Sequence, residues 1–370
     1  MKFTCSQAAL LRAVNTCIKA VSVRTTIPIL KGILIKVEDG RATLTSSDLN
    51  MSIETSFDVQ NYVNGSSVVS AKLLGDIVRK LPNSLINIDT EKEYGKLSIN
   101  CLGSYFSIVS LPADEFPLVG GVNSKDFFEL DKADFKDIIN KSVFSASIDE
   151  KKGILTGCLF NIKGGTMEAV ALDGFRMAIV RKEIGSDKEK RFIIPANILS
   201  EIYKILNEDE GSDQISVLFE EKKAEFLTED TRVIARLLEG EFIKYNDILP
   251  SSWNTRITVN REDMLSSIER ASLFAKEGKN NLIKIKVGKD TLDIESRSEE
   301  GNVNEKVGAD VEGEELLIGF NSKYLIDVLK VISDEEVDFE MGSSVSSCLI
   351  KPVEGNDYTY LVLPVRIYVS

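Results

Sequence analysis

Residues 68–81 read VVSAKLLGDIVRKL, and the pattern returns as IIPANILSEIYKIL over 193–206 and as GFNSKYLIDVLKVI over 319–332. Leu73, Leu74, Ile77 and Val78 align with Ile198, Leu199, Ile202 and Tyr203, and again with Tyr324, Leu325, Val328 and Leu329. The spacing i, i+1, i+4, i+5 predicts one apolar face of an amphipathic helix. The polar face repeats too. Asp76, Glu201 and Asp327 hold one acidic position, and Arg79, Lys204 and Lys330 hold a basic position three residues on. One amphipathic helix carries little information. Three copies, 125 and 126 residues apart and matched on both faces, predict one domain built three times.

Working outward, a second helix keeps the same register. Phe3-Thr4-Cys5, Phe128-Glu129-Leu130 and Ile257-Thr258-Val259 each alternate as a short strand. Each ends at a residue suited to cap a helix: Ser6, Asp131 and Asn260. The apolar runs after these caps are Leu10, Ala13, Val14 and Cys17; Phe135, Ile138, Ile139 and Ser142; and Met264, Ser267, Ile268 and Ala271. Between the helices, ILIKVEDGRATLT and CLFNIKGGTMEAVAL alternate around Asp-Gly and Gly-Gly, which predicts hairpins. Asp173 falls where Asp48 falls in the preceding unit. The expected fold is α+β with largely antiparallel sheets, in three units at 1–122, 123–253 and 254–370.

Composition narrows the function. A chain of 43% hydrophobic and 28% charged residues is ordinary for a globular protein, and no run nears the roughly 18 apolar residues of a membrane helix. Arg12 and Asn15 interrupt any signal-peptide core, so a cytoplasmic location is expected. The five cysteines form no C-x-x-C pair and read as reduced, buried residues. There is no histidine, which removes the usual general base and a common metal ligand. No cofactor and no metal are expected. The net charge of −13 opposes nucleic acid as a whole-chain average. Its distribution does not. The six helices read from periodicity sum to +5 and the remainder to −18, with Lys72, Arg79 and Lys80 against Asp76 the most basic helix beside Arg12 and Lys19. Such a split suits a surface of helices that faces an anion.

Neither phosphate-binding glycine motif occurs, and there is no nucleophile elbow. Asp173-Gly174-Phe175-Arg176 is the one compact polar cluster. It reads either as a turn in which Asp173 binds backbone, or as the site of a carboxylate-based hydrolase.

These residues carry a resemblance. The chain resembles the bacterial DNA polymerase III beta subunits, the replicative sliding clamps, along its whole length. The resemblance runs through MKFT, RTTIPIL, DGRATLTSSDLNMSIE, FSIVSLPADEFP, ALDGFRMA, GEFIKYNDILP, GFNSKYLIDVL, SVSS and YLVLPVRI. It implies three equivalent domains per chain and a head-to-tail homodimeric ring, non-catalytic, around double-stranded DNA. The replicative polymerase, the clamp loader and repair proteins would dock on it through short linear peptides, and no membrane partner is implied. By resemblance Arg24 and Lys72 match DNA contacts, and Phe106, Ile108, Leu273 and Phe274 a subunit interface. The partner pocket maps to Leu155, Leu172, Gly174, Phe175, Arg176 and Met177, to Ile248, to Val345 and Ser346, and to Val362, Leu363, Pro364, Val365 and Arg366. Arg176 and Arg366 are expected as polar contacts at its rim, and Pro364 as the mark of a strand edge left open. The chain departs from the family at Phe175, where histidine is common, at Asp247, where many relatives carry a basic residue nearby, and at Tyr368-Val369-Ser370. A specialised paralogue with other partners is the nearest rival reading.

Overall fold

The structure is a computed structural model that describes residues 1–22, 25–90, 95–123, 127–186, 188–276 and 279–367. The first repeat runs β1 (Lys2–Ser6), α1 (Gln7–Ile18), β2 (Gly32–Glu38), β3 (Arg41–Ser47), β4 (Met51–Asp58), β5 (Gln60–Val63), β6 (Gly65–Ser70), α2 (Ala71–Lys80), β7 (Leu85–Asp89), β8 (Lys96–Cys101) and β9 (Ser104–Leu111). The second runs β10 (Phe127–Asp131), α3 (Lys132–Ser142), β11 (Gly157–Lys163), β12 (Thr166–Leu172), β13 (Arg176–Glu183), β14 (Lys190–Pro195), α4 (Ala196–Glu208), β15 (Gln214–Phe219), β16 (Lys223–Leu227) and β17 (Thr231–Arg236). The third runs β18 (Thr255–Asn260), α5 (Arg261–Ala275), β19 (Leu282–Val287), β20 (Thr291–Arg297), β21 (Asn302–Gly308), β22 (Asp310–Gly313), β23 (Leu316–Asn321), α6 (Ser322–Val331), β24 (Glu336–Met341), β25 (Cys348–Pro352) and β26 (Tyr358–Val362). Among the described residues, only the short strands β5 and β22 lack a counterpart in the middle repeat.

The repeated sequence signals do the physical work expected of them. All twelve apolar positions of the first-helix register are buried. Ser6 accepts from the Ala9 N–H at 3.2 Å, Asp131 from Ala133 at 2.8 Å, and Asn260 from Glu262 and Asp263 at 3.0 and 3.1 Å. In the α2, α4 and α6 register two positions diverge: Tyr203 is half-buried where Val78 and Leu329 are buried, and the first position varies more. Ile198 is buried and Tyr324 half-buried, but Leu73 is 45% exposed. Asp39-Gly40 and Gly164-Gly165 have positive φ at both residues, the conformation that two-residue hairpins need to match strand twist.

The chain forms two compact units, one of residues 1–133 and 201–237, the other of 134–200 and 238–370. The first holds a 13-stranded sheet in the order β10-β15-β16-β17-β4-β3-β2-β6-β9-β8-β7-β1-β5. The second holds a nine-stranded sheet, β14-β11-β12-β13-β26-β25-β24-β18-β22, and a four-stranded one, β21-β20-β19-β23. The middle repeat is divided because its strands join its neighbours' sheets. Its last strand β17 pairs antiparallel with β4, and β13, the third strand of its hairpin run, pairs antiparallel with β26.

All five cysteines are free and buried. Burial pushes the thiols of Cys5, Cys17 and Cys158 up to about 12 and raises that of Cys348 as well. Only the thiolate alkylates. Iodoacetamide at pH 8 should therefore modify these four more slowly in the native chain than after denaturation, by about three orders of magnitude or more. Mass spectrometry of timed samples checks this, and equal rates in the two states would contradict the burial.

Candidate nucleic-acid and partner-docking surfaces

In the first unit α1 and α2 lie side by side. The Gln7 amide donates to the Val78 carbonyl at 2.8 Å, and Gly75 admits Ile18 so closely that an added Cβ would meet its Cδ1 at 2.9 Å. Arg12, Lys72, Arg79 and Lys80 stand exposed on the helix pair, with Asp76 bound to Arg79 at 3.5 Å. Lys19 is instead held by Glu208 at 2.5 Å. Arg24 lies outside the described residues. Over the structural helix bounds, Lys19 and Lys276 drop out and Glu208 enters, against the loss of Asp131, so the helix charge falls from +5 to +3. The sign of the split survives. Its size shrinks because helix ends set by periodicity alone run past the structural ones.

The candidate pocket lies in the second unit, where β13 meets β26. Arg176 pairs with Val362, and the Leu363 N–H donates to the Phe175 carbonyl at 2.8 Å. Leu172 and Met177 are buried in a cluster with Leu159, Val170, Phe242, Tyr245, Leu349 and Leu361, and Leu155 and Leu249 pack on it. Phe175, Ile248, Val345, Leu363 and Arg366 are exposed, together with Gly174. Arg176, Ser346, Pro364 and Val365 are half-buried, whereas Val362 is fully buried. The floor and the surface thus come from different positions of the same short stretches.

Two expectations change. Arg176 is turned inward from the rim, with three of its five N–H donors engaged inside the chain. Its Nε reaches Asp173 at 3.2 Å, its Nη1 Asp327 at 2.5 Å and its Nη2 the Phe144 carbonyl at 2.8 Å. Its guanidinium also stacks on Phe144 and Tyr324 at 5.3 and 4.7 Å. It braces the wall that carries Phe175, itself stacked on Tyr324 at 6.3 Å with Lys152 5.4 Å over the ring. Burial, then the charge of Asp173, raises the Tyr324 hydroxyl above its usual range. The second change concerns Pro364. β26 is no edge, since β13 and β25 flank it. The ladder stops at Val362, and the chain crosses to β23, where the Val365 N–H donates to the Gly319 carbonyl at 2.8 Å.

Asp173 is a turn residue. One oxygen accepts from the Phe175 and Arg176 N–H groups at 2.8 and 3.0 Å, the other from Arg176 Nε. Asp48 makes the same turn with Asn50 and Met51 at 2.9 and 2.7 Å.

Of the interface residues, Phe106 is exposed on β9, Leu273 is 63% exposed on α5, and Phe274 is half-buried. Ile108 is only 6% exposed within the single chain, so its side chain belongs mainly to its own core.

Comparison with known proteins settles the family. Models of the N-terminal, central and C-terminal domains of the DNA polymerase III beta subunit match residues 1–120, 129–244 and 246–366. The chain belongs to the DNA polymerase III beta subunit family. It is 34% identical, over all of both chains, to the beta sliding clamp of Staphylococcus epidermidis. The crystal structure of the DNA polymerase sliding clamp of Bacillus subtilis superposes with a TM-score of 0.94 at 32% identity, over all of both chains. A putative DNA polymerase III beta subunit of Eubacterium rectale gives 0.93 at 33% identity, over 99% of this chain and all of that one.

Sequence reasoning missed Phe144, Lys152, Phe242 and Tyr245. Tyr245 is buried, and burial with a hydrogen bond to Glu168 pushes its hydroxyl up to about 12. A signal for one further partner was present. Tyr324 replaces an aliphatic residue at the outermost apolar position of α6, where a ring can stack on what lies beside the helix.

Proposed function

We propose that two copies of this chain pair head to tail into a ring that encircles duplex DNA and tethers the replicative polymerase. The observation that carries this reading is the succession of strand pairs. The third strand of the first repeat's hairpin run, β4, is covered by the last strand of the second repeat, β17. Its counterpart in the second repeat, β13, is covered by the last strand of the third, β26. One strand of each kind remains. Among the described residues β21 pairs only with β20, and β9 meets β6 only at Ser110 and Leu111, beyond its ladder with β8. A second copy supplies the missing partner at both ends, and a head-to-tail contact that closes after two copies makes a ring. Phe106, Ile108, Leu273 and Phe274 lie on or beside those strands. Membership of the sliding-clamp family supports the same reading.

The domains are proposed at 1–122, 123–253 and 254–370. Arg24, Lys72, Arg79 and Lys80 would follow the phosphate backbone without reading bases. The pocket beside β13 and β26 would take short peptides of the polymerase, the clamp loader and repair proteins. The chain itself would be non-catalytic. In support, Asp173 is engaged in its turn and no histidine is available. The location is proposed as the cytoplasm, where bacterial DNA resides.

Binding to short linear duplex should be weak and salt-sensitive, since the net charge is negative. Loaded on a closed circle, the ring should withstand salt that abolishes that binding, and leave once the circle is cut. Gel filtration of protein loaded on nicked circles, before and after linearisation, measures this. Loss from intact circles at high salt while the dimer persists would overturn the ring.

A further inference from the structure

The junction of β4 and β17 repeats, within the first unit, the construction of the junction of β13 and β26. Asp48 makes the turn that Asp173 makes. Met51 pairs with Ala235 as Arg176 pairs with Val362. The Arg236 N–H donates to the Asn50 carbonyl at 2.8 Å, as Leu363 does to Phe175. The surroundings of the two junctions differ. At the first junction a cavity of about 220 Å³ opens between Leu49, Met51, Val119 and Ile234, with Lys222, Lys223 and Arg236 among its lining. Met51 and Ile234 are buried and form its floor, while Leu49 is 49% exposed. Leu49 also holds φ at +76°, where Gly174 holds +93° at the matching turn position. A leucine there costs backbone energy that glycine avoids. Among the described residues no carboxylate lines the cavity, on a chain of net charge −13, and Lys223 donates to the Gly120 carbonyl at 3.4 Å.

We propose that this cavity is a second peptide-docking site, selective for a short acidic segment with one aliphatic anchor. The anchor fills the space between Leu49 and Ile234, and flanking carboxylates meet Lys222, Lys223 and Arg236. An uncharged peptide suited to the site at β26 would gain nothing from those three cations. The choice of a peptide as occupant rests on reading the β26 site as a peptide pocket, so the test reads the two sites separately.

The probe is a fluorescein-labelled peptide, Asp-Glu-Asp-Leu-Glu-Asp-Glu, titrated with the full-length protein by fluorescence anisotropy. Saturable binding in the range of about 10–100 μM at low salt is expected, weakening as salt rises. Lys222→Ser with Arg236→Ser should weaken it about tenfold or more. Deleting residues 363–370 should leave it unchanged. Leu49→Gly separates folding from binding: it suits the positive φ, so thermal stability should hold or rise, while affinity falls. Absence of saturable binding overturns the proposal. So does loss of binding on deleting 363–370, which would put the peptide in the other site. Displacement of the peptide by a short DNA duplex as readily as by unlabelled peptide would reassign the cations to DNA.

Discussion

Leu273→Ala combined with Phe274→Ala should yield a folded monomer that cannot stay on circular DNA. Leu273 is mostly exposed in the single chain, so its truncation removes little from the chain's own core. Phe274 is half-buried against Gly301, and its loss costs some local packing without opening a deep cavity. In the ring the balance reverses. Covering a large apolar side chain contributes roughly 2 kcal/mol, and a two-membered ring contains the same contact twice. Four truncated side chains then remove on the order of 8 kcal/mol per ring, about six decades in the dissociation constant. Multi-angle light scattering across micromolar concentrations reads the mass, and thermal melting confirms the fold. A dimer population equal to wild type would refute the assignment of these residues.

Much of the fold is legible in the sequence because it is written three times. Periodicity locates the α1, α3 and α5 positions correctly, and all twelve residues of that register are buried. Strand bounds in the second half of the middle repeat can be read to within a residue, since Gly211, Thr228 and the charged turn at 220–222 punctuate them. Strand pairing between repeats is not legible. Nothing local in the alternation of TRVIAR names its partner, and β17 joins β4 from far away in sequence. The same gap hides the fate of the repeated polar pair. Asp76 binds Arg79 and Glu201 binds Lys204, as i,i+3 spacing implies. In the third copy Asp327 turns to Arg176, and Lys330 to Glu269 at 2.8 Å. A pattern shared by three helices thus carries a separate duty in one of them, and that duty depends on a neighbour the sequence does not identify. Arg176 reads as a rim contact for this reason: the resemblance puts a polar group beside a pocket, whereas the engagement of its donors is a three-dimensional fact.

Truncation after Val362 should leave the dimer but abolish both peptide binding and polymerase stimulation. β26 ends at Val362, so the strand ladders with β13 and β25 survive the deletion. The lost contacts are the Leu363 N–H to the Phe175 carbonyl, the Val365 N–H to the Gly319 carbonyl, and the packing of Ile367 at Gly319. These stabilise the segment itself more than the sheet, and a modest fall in melting temperature is expected. The pocket fares worse, because the deletion removes Leu363, Pro364 and Val365, the side that is hydrogen-bonded to Phe175 through the Leu363 N–H. A docked peptide with two apolar anchors gains roughly 3–6 kcal/mol gross from burying them. Ordering the peptide offsets part of this, which leaves a site of about micromolar strength. At that strength, losing one wall brings binding below detection. A site of that strength would let the proposed polymerase, loader and repair partners exchange on it. The milder Leu363→Ala with Phe175→Ala tests the same wall without shortening the chain, since both side chains are exposed. Primer extension on a primed circle, with light scattering as the control for assembly, reads the outcome. Normal polymerase stimulation by a truncated but intact dimer would show that partners dock elsewhere.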